Sequence, residues 1–217
     1  MSANNLYIGI DSGTQGTKAV VFEENTGLFL AESYAGYPLD ENERGGREQN
    51  PEKWIEACRR VLSEVLQNDE VNPDNVKGIG VSGQQHGMVP LDKEGNVIRP
   101  AKLWCDTETA NQCQTLTAKL GGTEEVYKHI GNQIAVGFTA SKILWMKENE
   151  PENYKKLDCV LLPHDYINYW LTGKKTTDYG DASGTAYFDV RNRQWSHEVL
   201  SAIDSTGKLL ECMPALV

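Results

Sequence analysis

One short segment concentrates residues that could bind phosphate. It reads GIDSGTQGTK over residues 9–18, and it lies between two short runs of apolar and β-branched residues. Backbone N–H groups and hydroxyls in such a turn can form a nest for an anion. A carboxylate beside polyphosphate is repelled unless a magnesium ion lies between them, which would give Asp11 a role. The segment therefore predicts a phosphate-binding turn with a magnesium ion beside Asp11.

The spacing differs from that of the two commonest phosphate loops. Both G-x-G-x-x-G and G-x-x-x-x-G-K-[ST] lead into a helix whose N-terminus binds the anion, whereas residues 18–22 continue as a β-branched strand. The alternative interpretation is an ordinary hairpin with glycines at positive φ, Asp11 capping the turn and Lys18 in solvent. Both interpretations stay open on these residues alone.

A second polar loop follows the short strand predicted over residues 76–83. Gln84, Gln85 and His86 lie there between Gly83 and Gly87. Ligands of α/β sheets collect at strand ends, and glycines let the backbone approach a ligand closely. Amides beside an imidazole provide the donors and acceptors that a polyhydroxyl compound needs. The loop predicts a polyol or sugar site, with a purely structural histidine as the alternative.

The elements that position these loops follow an α/β order. Strands are predicted over 6–10, 18–22, 28–31, 76–83, 88–92, 97–103 and 159–162, and helices over 51–67, 107–120, 124–130, 139–148, 165–171 and 196–204. Tight turns join the first three strands, which predicts an antiparallel meander. Later strands alternate with helices, so we expect a mixed sheet in one domain with helical insertions.

Composition excludes several classes of protein. A net charge of −10 over 217 residues disfavours a nucleic-acid partner, because binding to phosphate backbones needs clustered Lys and Arg. The five cysteines are dispersed and never spaced as C-x-x-C, so we interpret them as reduced thiols. No apolar run is long enough to cross a bilayer, and residues 1–5 lack the basic start of a signal peptide. We therefore expect a cytoplasmic protein without a membrane partner.

Several segments together resemble the FGGY family of carbohydrate kinases. The pattern D-x-G-T-x-x-x-K from Asp11 to Lys18, within a meander, resembles the first phosphate loop of the actin and hexokinase-like ATPases. LWCD at 103–106 resembles the family's sugar-pocket segment, GFTASKILWMKEN at 137–149 its first-lobe signature, and TDYGDASGT at 177–185 its later acidic segment. Within the family, GQQHG at 83–87 is similar to the loop of the xylulose-phosphorylating members.

The resemblance implies a fold and a set of site residues. The implied fold is ribonuclease H-like, as in the actin and hexokinase-like ATPases, with the meander first in a mixed sheet. Asp11 would orient Mg²⁺ through water, and the residues implied to bind the phosphates of ATP are Gly13, Thr14, Gln15, Thr17 and Lys18. The residues implied to bind the sugar are Gln85, His86, Trp104 and Asp106. Lys142 is as compatible with anchoring its own helix as with binding a ligand, and it is not assigned to the site.

The resemblance also implies a domain organisation and a reaction. Residues 1–217 are expected to be the N-terminal lobe, with a C-terminal ATP-binding lobe and its general-base aspartate absent from this chain. The complete enzyme would transfer a phosphoryl group from MgATP to a ketopentose, D-xylulose giving xylulose 5-phosphate, and this chain alone would be inactive. The uncovered lobe surface favours self-association, as in a homodimer. The alternatives are a non-catalytic sugar-binding domain and an actin-like nucleotide-binding module.

Overall fold

The structure is a computed structural model that describes residues 4–217; residues 1–3, part of the segment analysed for a signal peptide, lie outside the described residues. The strands are β1 Leu6–Ser12, β2 Gly16–Glu23, β3 Phe29–Gly36, β4 Asp40–Glu41, β5 Arg47–Gln49, β6 Val76–Gly83, β7 Val89–Leu91, β8 Ala101–Lys102, β9 Cys159–Leu161, β10 Thr176–Thr177, β11 Phe188–Asp189, β12 Gln194–Trp195 and β13 Ala215–Leu216. The helices are α1 Pro51–Leu66, α2 Ala110–Lys119, α3 Thr123–Ile130, α4 Thr139–Asn149, α5 Pro151–Lys156, α6 Pro163–Thr172, α7 Tyr179–Ala182, α8 His197–Ile203 and α9 Lys208–Glu211, with a 3₁₀ turn at Pro73–Asn75. None of the helices in residues 4–217 combines the length and apolarity needed to cross a membrane.

The described residues form two compact units. The first, here called the meander unit, contains the described residues up to Leu39 together with Pro51–Gln84. The second, here called the helical unit, contains Asp40–Asn50 and Gln85–Val217. The chain passes from the first unit to the second between Gln84 and Gln85, so the predicted sugar loop is divided between them in sequence.

The meander unit is built on one four-stranded sheet. Its strand order is β3-β2-β1-β6, with β1 antiparallel to β2, β2 antiparallel to β3, and β6 parallel to β1. Alternation along β1 and β2 places Ile8, Ile10, Ala19 and Val21 on a buried face, and α1 packs on this sheet through residues that include the fully buried Trp54. The predicted meander and the mixed sheet are confirmed.

The helical unit contains short strands among several helices. Its small sheets are β4-β5-β8, β7-β9, β10-β13 and β11-β12. A core of aliphatic residues from α2, α3, α4 and α8 includes Leu116, Ile130, Ile143 and Val199, each under 2 % exposed. The apolar face of each helix is therefore buried mainly against the other helices of this unit.

Several predicted boundaries differ from the structure for identifiable reasons. The strand predicted over 28–31 runs from Phe29 to Gly36, because an edge strand with one open face accepts the polar residues that follow Ala31. The strand predicted over 97–103 is reduced to Ala101–Lys102, since Pro100 has no N–H to donate. The helix predicted from residue 107 begins at Ala110, because the Thr109 carbonyl is the first to accept a helical bond, from the Cys113 N–H, and the residues before it form a turn.

A buried ionic cluster stabilises the strand-to-helix region of the helical unit. Lys102 on β8 is completely buried, and its Nζ lies 3.1 Å from Glu48, 3.0 Å from Asp106 and 2.7 Å from Glu108. Burial opposes the charged form, but these carboxylates outweigh it and raise the pKa of Lys102. The ammonium group neutralises carboxylates that would otherwise be buried next to one another.

Replacing Lys102 with Met should lower the free energy of unfolding by about 3 to 5 kcal/mol, because it leaves buried carboxylates without their cation. Urea denaturation of the wild type and the variant measures this difference. Lys155→Met is the matched control, since Lys155 forms an ion pair with Glu152 through an exposed side chain. Equal losses in the two variants would show that the Lys102 cluster contributes no more than a surface pair.

Candidate functional site

The predicted phosphate loop is a three-residue connection between β1 and β2. Gly13, Thr14 and Gln15 form it, and the Gly13 N–H donates to the carbonyl of Gly16 at 3.0 Å. The Thr14 hydroxyl donates to Oε1 of Gln84 at 3.3 Å. The structure therefore places the loop next to the end of β6, where the second polar segment begins.

A network of hydroxyls supports this loop from inside the meander unit. Tyr37 donates through its hydroxyl to the carbonyl of Gly13 at 2.6 Å, and the same hydroxyl lies 3.0 Å from Oγ of Ser12. Burial raises the pKa of Tyr37, so its proton stays in place to make this bond. Thr17 is fully buried and donates to Ser12 at 3.1 Å. Its hydroxyl thus supports the loop from beneath and does not lie on the loop surface where phosphate was predicted.

Positive φ, the reason that the hairpin interpretation offered, does not account for the glycines of this loop. Gly9, Gly13 and Gly16 do not belong to the residues with positive φ in the described chain. A side chain at Gly16 would displace the ring of Tyr34, whose hydroxyl donates to the carbonyl of Gln15. A side chain at Gly13 would meet only ordinary contacts within the chain. Positive φ therefore does not explain this loop.

Asp11 and Lys18 occupy matching positions on β1 and β2, on the sheet face opposite the buried one. Both line an open depression of about 600 Å³, which Val20, Phe29 and Gly80 also line. Lys18 pairs with Glu32 at 2.8 Å through a half-exposed side chain. Asp11 is exposed, and in residues 4–217 its carboxylate has no hydrogen bond or ion pair. The turn is therefore not capped by Asp11, in contrast to the hairpin interpretation.

The sugar loop has an unusual backbone at His86. Its φ is 59°, a left-handed conformation that non-glycine residues rarely adopt. The imidazole stacks on Phe138 with ring centroids 4.5 Å apart, and Gly184 lies so close that a side chain there would overlap the ring. Burial, aided by the nearby charge of Lys142, lowers the pKa of His86. The imidazole is therefore neutral at neutral pH, with one donor and one acceptor nitrogen.

The structure brings the Trp104 segment and the α4 segment together. Gly137 has φ of 94°, and a side chain there would overlap the backbone carbonyl of Trp104. Trp104 is 51 % exposed, so part of this residue is accessible to a ligand. Gln85 is exposed as well. Gln85 and Trp104 thus have the accessibility that a binding role needs, while His86 is half-buried.

Asp106 lies in a different environment from the one predicted for a sugar ligand. It is completely buried, its Oδ2 accepts from Lys102 and from the Arg47 N–H, and its Oδ1 accepts from the Glu108 N–H. Direct contact with a sugar would remove the carboxylate from these donors and expose Lys102. This environment favours a supporting role, in which Asp106 holds the turn that follows Trp104, and direct contact of Asp106 with a sugar stays a prediction.

Two groups of side chains in the described chain are close enough to share a metal ion, and a side-chain cation already lies among each. They are Glu48, Asp106 and Glu108, and His164, Asp178 and Asp181. Lys102 lies among the first three. His164 itself is the cation of the second group, with Nδ1 2.6 Å from Asp181 and Nε2 3.1 Å from Asp178. Asp11 belongs to neither group, and a single carboxylate is compatible with Mg²⁺, which keeps most of its waters.

Sequence reasoning missed the residues that support the two loops. Tyr37 and Ser12 lie beneath the phosphate loop, and Lys142 donates to the carbonyl of His86 at 2.6 Å. A signal existed for Lys142, because it shares a buried helical stripe with Thr139, Ile143 and Met146. No local pattern indicated Tyr37, which acts across 24 residues of sequence.

The comparisons with known proteins agree with this geometry. The profile of the FGGY family of carbohydrate kinases, N-terminal domain, matches residues 6–217. The chain is 45 % identical over 216 residues to a xylulose kinase of Haemophilus influenzae, covering 98 % of this chain and 44 % of that protein. The crystal structure of xylulose kinase from Bifidobacterium adolescentis superposes with a TM-score of 0.86 at 30 % identity, over all of this chain and 48 % of that one. The crystal structure of Plasmodium falciparum glycerol kinase with ADP supports the fold alone. It is 22 % identical, with a TM-score of 0.86, over 98 % of this chain and 43 % of that one.

The fold is that of the actin and hexokinase-like class, which confirms the expected fold. The chain belongs to the FGGY family of carbohydrate kinases, and its match is to the N-terminal domain of that family. It spans less than half the length of these relatives, 44 % of the Haemophilus protein and 48 % of the Bifidobacterium one.

The His164 cluster makes stability depend on pH. Burial opposes protonation of His164, but Asp181, Asp165 and Asp178 outweigh it and raise its pKa to about 9. A pKa above the unfolded value of 6.5 means that the stabilisation is complete below pH 6.5 and is lost as the pH rises through 9. Burial also raises the pKa of Asp165, to about 7. The pH dependence of the wild type alone would therefore not separate the contribution of His164 from that of Asp165.

We therefore expect wild type to exceed His164→Gln in free energy of unfolding by roughly 2 to 3 kcal/mol at pH 6, and by much less at pH 10. Denaturant titrations of both proteins at the two pH values measure the difference. His197→Gln, which changes an exposed histidine at the start of α8, is the control. A difference that does not change with pH would contradict a protonated His164 in the folded state.

Proposed function

We propose that residues 1–217 are the N-terminal lobe of an ATP-dependent kinase that phosphorylates D-xylulose to xylulose 5-phosphate. The observation that carries the proposal is the 45 % identity, along almost the whole chain, to a protein named xylulose kinase. The partner of this lobe is a C-terminal lobe that binds adenosine and supplies the general-base aspartate. A homodimer and a cytoplasmic location remain predictions.

In this proposal the phosphate loop holds the terminal phosphates of ATP. The backbone at Gly13, Thr14 and Gln15 approaches the phosphates, because Gly13 carries no side chain. The hydrogen bond from Tyr37 to the Gly13 carbonyl holds the loop in place. Lys18 supplies a positive charge from the open sheet face, and Thr17 acts through its support of the loop. A magnesium ion bound through water to Asp11 would neutralise charge on the phosphates when present.

The sugar loop provides the groups that would orient the ketose. Neutral His86 offers its Nε2 to one sugar hydroxyl, and the exposed Gln85 amide offers both a donor and an acceptor. Trp104, which is partly exposed, covers the C–H face of the sugar with its ring. Asp106 maintains the turn that presents Trp104. These contacts hold one hydroxyl ready for in-line attack, which is most of what phosphoryl transfer requires of a protein.

A coupled assay of ADP formation tests the function directly. MgATP is offered with a panel of ketopentoses, polyols and gluconate to these 217 residues and to the longest chain that the source gene encodes. We expect turnover of xylulose by the longer chain only, because the base and the adenosine site are assigned to the second lobe. Sugar binding without turnover by the longer chain would favour the non-catalytic sugar-binding alternative. ATP hydrolysis unaffected by any sugar would favour the actin-like alternative.

Replacing Asp11 with Asn in the longer chain should lower kcat by about 10²-fold or more while the affinity for xylulose stays nearly constant, since the carboxylate acts on the phosphates through magnesium. Steady-state kinetics and calorimetry of sugar binding measure the two quantities. Asp69→Asn, at an exposed aspartate beyond α1, is the matched control. An unchanged kcat in Asp11→Asn would remove this residue from the site.

A further inference from the structure

Lys142 is a buried lysine that the proposed reaction leaves unused. It lies on α4 and is completely buried. Its Nζ donates to the carbonyl of His86 at 2.6 Å and also to the carbonyl of Gly137. A buried ammonium group is costly unless hydrogen bonds compensate it, so this position is under a strong constraint. Both of its acceptors are backbone carbonyls next to predicted sugar contacts.

The first acceptor belongs to the residue with the strained backbone. The left-handed conformation is unfavourable for a residue other than glycine, and surrounding contacts must therefore maintain it at His86. Two side chains of α4 hold the His86 carbonyl: Lys142, and Thr139, whose hydroxyl donates to it at 3.2 Å. The direction of the carbonyl fixes the direction in which the imidazole leaves the chain.

The surroundings of the ring leave it little freedom once the backbone is fixed. Phe138 stacks on one side of the imidazole, and the backbone at Gly184 approaches another edge. Among the described residues Nδ1 of His86 has no hydrogen-bond partner although it is buried. No hydrogen bond within the described chain therefore orients the ring at Nδ1, and its orientation depends on the backbone and on these two neighbours.

The second acceptor links the same lysine to the aromatic side of the site. Gly137 lies against the backbone carbonyl of Trp104, as its close approach shows. Lys142 thus bonds both to the His86 loop and to the segment that packs on Trp104. One buried ammonium group joins the two elements that carry the predicted polar and aromatic contacts to the sugar.

We infer that Lys142 is a positioning residue for sugar recognition, which holds the His86 loop in its left-handed conformation and ties it to the Trp104 segment through Gly137. The inference rests on the proposed function. It assigns Lys142 no contact with substrate. Loss of this residue should therefore impair recognition of the sugar while leaving the use of ATP intact.

The test uses the longest chain that the source gene encodes, with Lys142→Met and the matched control Lys147→Met. Lys147 is on the same helix and also donates to a backbone carbonyl, that of Ile203 at 3.0 Å. We expect Lys142→Met to raise KM for xylulose at least tenfold and to change KM for ATP less than twofold, whereas Lys147→Met changes neither. If Lys142→Met does not fold, Thr139→Val, which removes the other donor to His86, should raise KM for xylulose in the same direction.

A double-mutant cycle distinguishes positioning from general damage. His86→Gly removes the ring and tolerates the left-handed backbone. If Lys142 acts through His86, the double variant should have a KM for xylulose close to that of His86→Gly alone. Multiplicative effects of the two changes, or equal KM values for Lys142→Met and wild type, would overturn the inference.

Imidazole nitrogen NMR separates this inference from the proposed function. The His86 signals, assigned by their loss in His86→Gly, should shift in Lys142→Met and stay in place in Lys147→Met. Unshifted signals in Lys142→Met would overturn the positioning role whatever the kinetics show. Absence of xylulose turnover by the wild-type long chain would overturn the proposed function and the sugar role together, while loss of the His86–Phe138 ring contact in nuclear Overhauser spectra of Lys142→Met would still establish that Lys142 fixes the ring.

Discussion

The burial of two lysine side chains strongly constrains the helical unit. Lys102 and Lys142 are both completely buried, and Asp106, also buried, favours the charged form of each. Lys102 is surrounded by carboxylates, whereas Lys142 has backbone carbonyls as its hydrogen-bond partners. Burial, together with the charge of Lys102, lowers the pKa of Lys142 to about 7. Charges in such surroundings can be accommodated only if their partners stay in place, so the strand end, the turn after it and α4 must keep one arrangement.

This constraint explains why the predicted sugar contacts lie on irregular backbone. His86 is left-handed, Gly137 has positive φ, and Gly184 is required by close approach to a ring. Each feature costs conformational freedom and is compensated by hydrogen bonds or by stacking. The phosphate loop uses another solution, in which Tyr37, Ser12 and Thr17 bond to one another beneath it. In both loops the buried side chains provide support, and the exposed ones stay available for a ligand.

The regular elements could be predicted from the sequence because their signals are local. Tight turns between the first three short apolar runs predicted the meander, the residue types predicted both loops, and the family resemblance suggested roles for their residues. The extent of short strands could not be predicted in this way, since Ala101–Lys102 is limited by pairing with β5 and by Pro100. The burial of Asp106 and the role of Lys142 depend on contacts with residues far away in sequence, such as Arg47 and His86. A carboxylate next to a tryptophan has the same local pattern whether it faces a ligand or a buried lysine.

The contrast between Gly13 and Gly16 shows how structure separates residues that a motif treats alike. A side chain at Gly16 would displace the ring of Tyr34 and its bond to the Gln15 carbonyl, whereas a side chain at Gly13 meets no such obstacle. Folding alone therefore gives no reason for glycine at Gly13, and a ligand that approaches the backbone there would give one. The same reasoning applies to Asp11, an exposed carboxylate opposite Lys18 that makes no hydrogen bond or ion pair in residues 4–217. Residues that the fold does not explain are the ones that chemistry has to explain, and in this loop they are the residues that phosphate and magnesium would use.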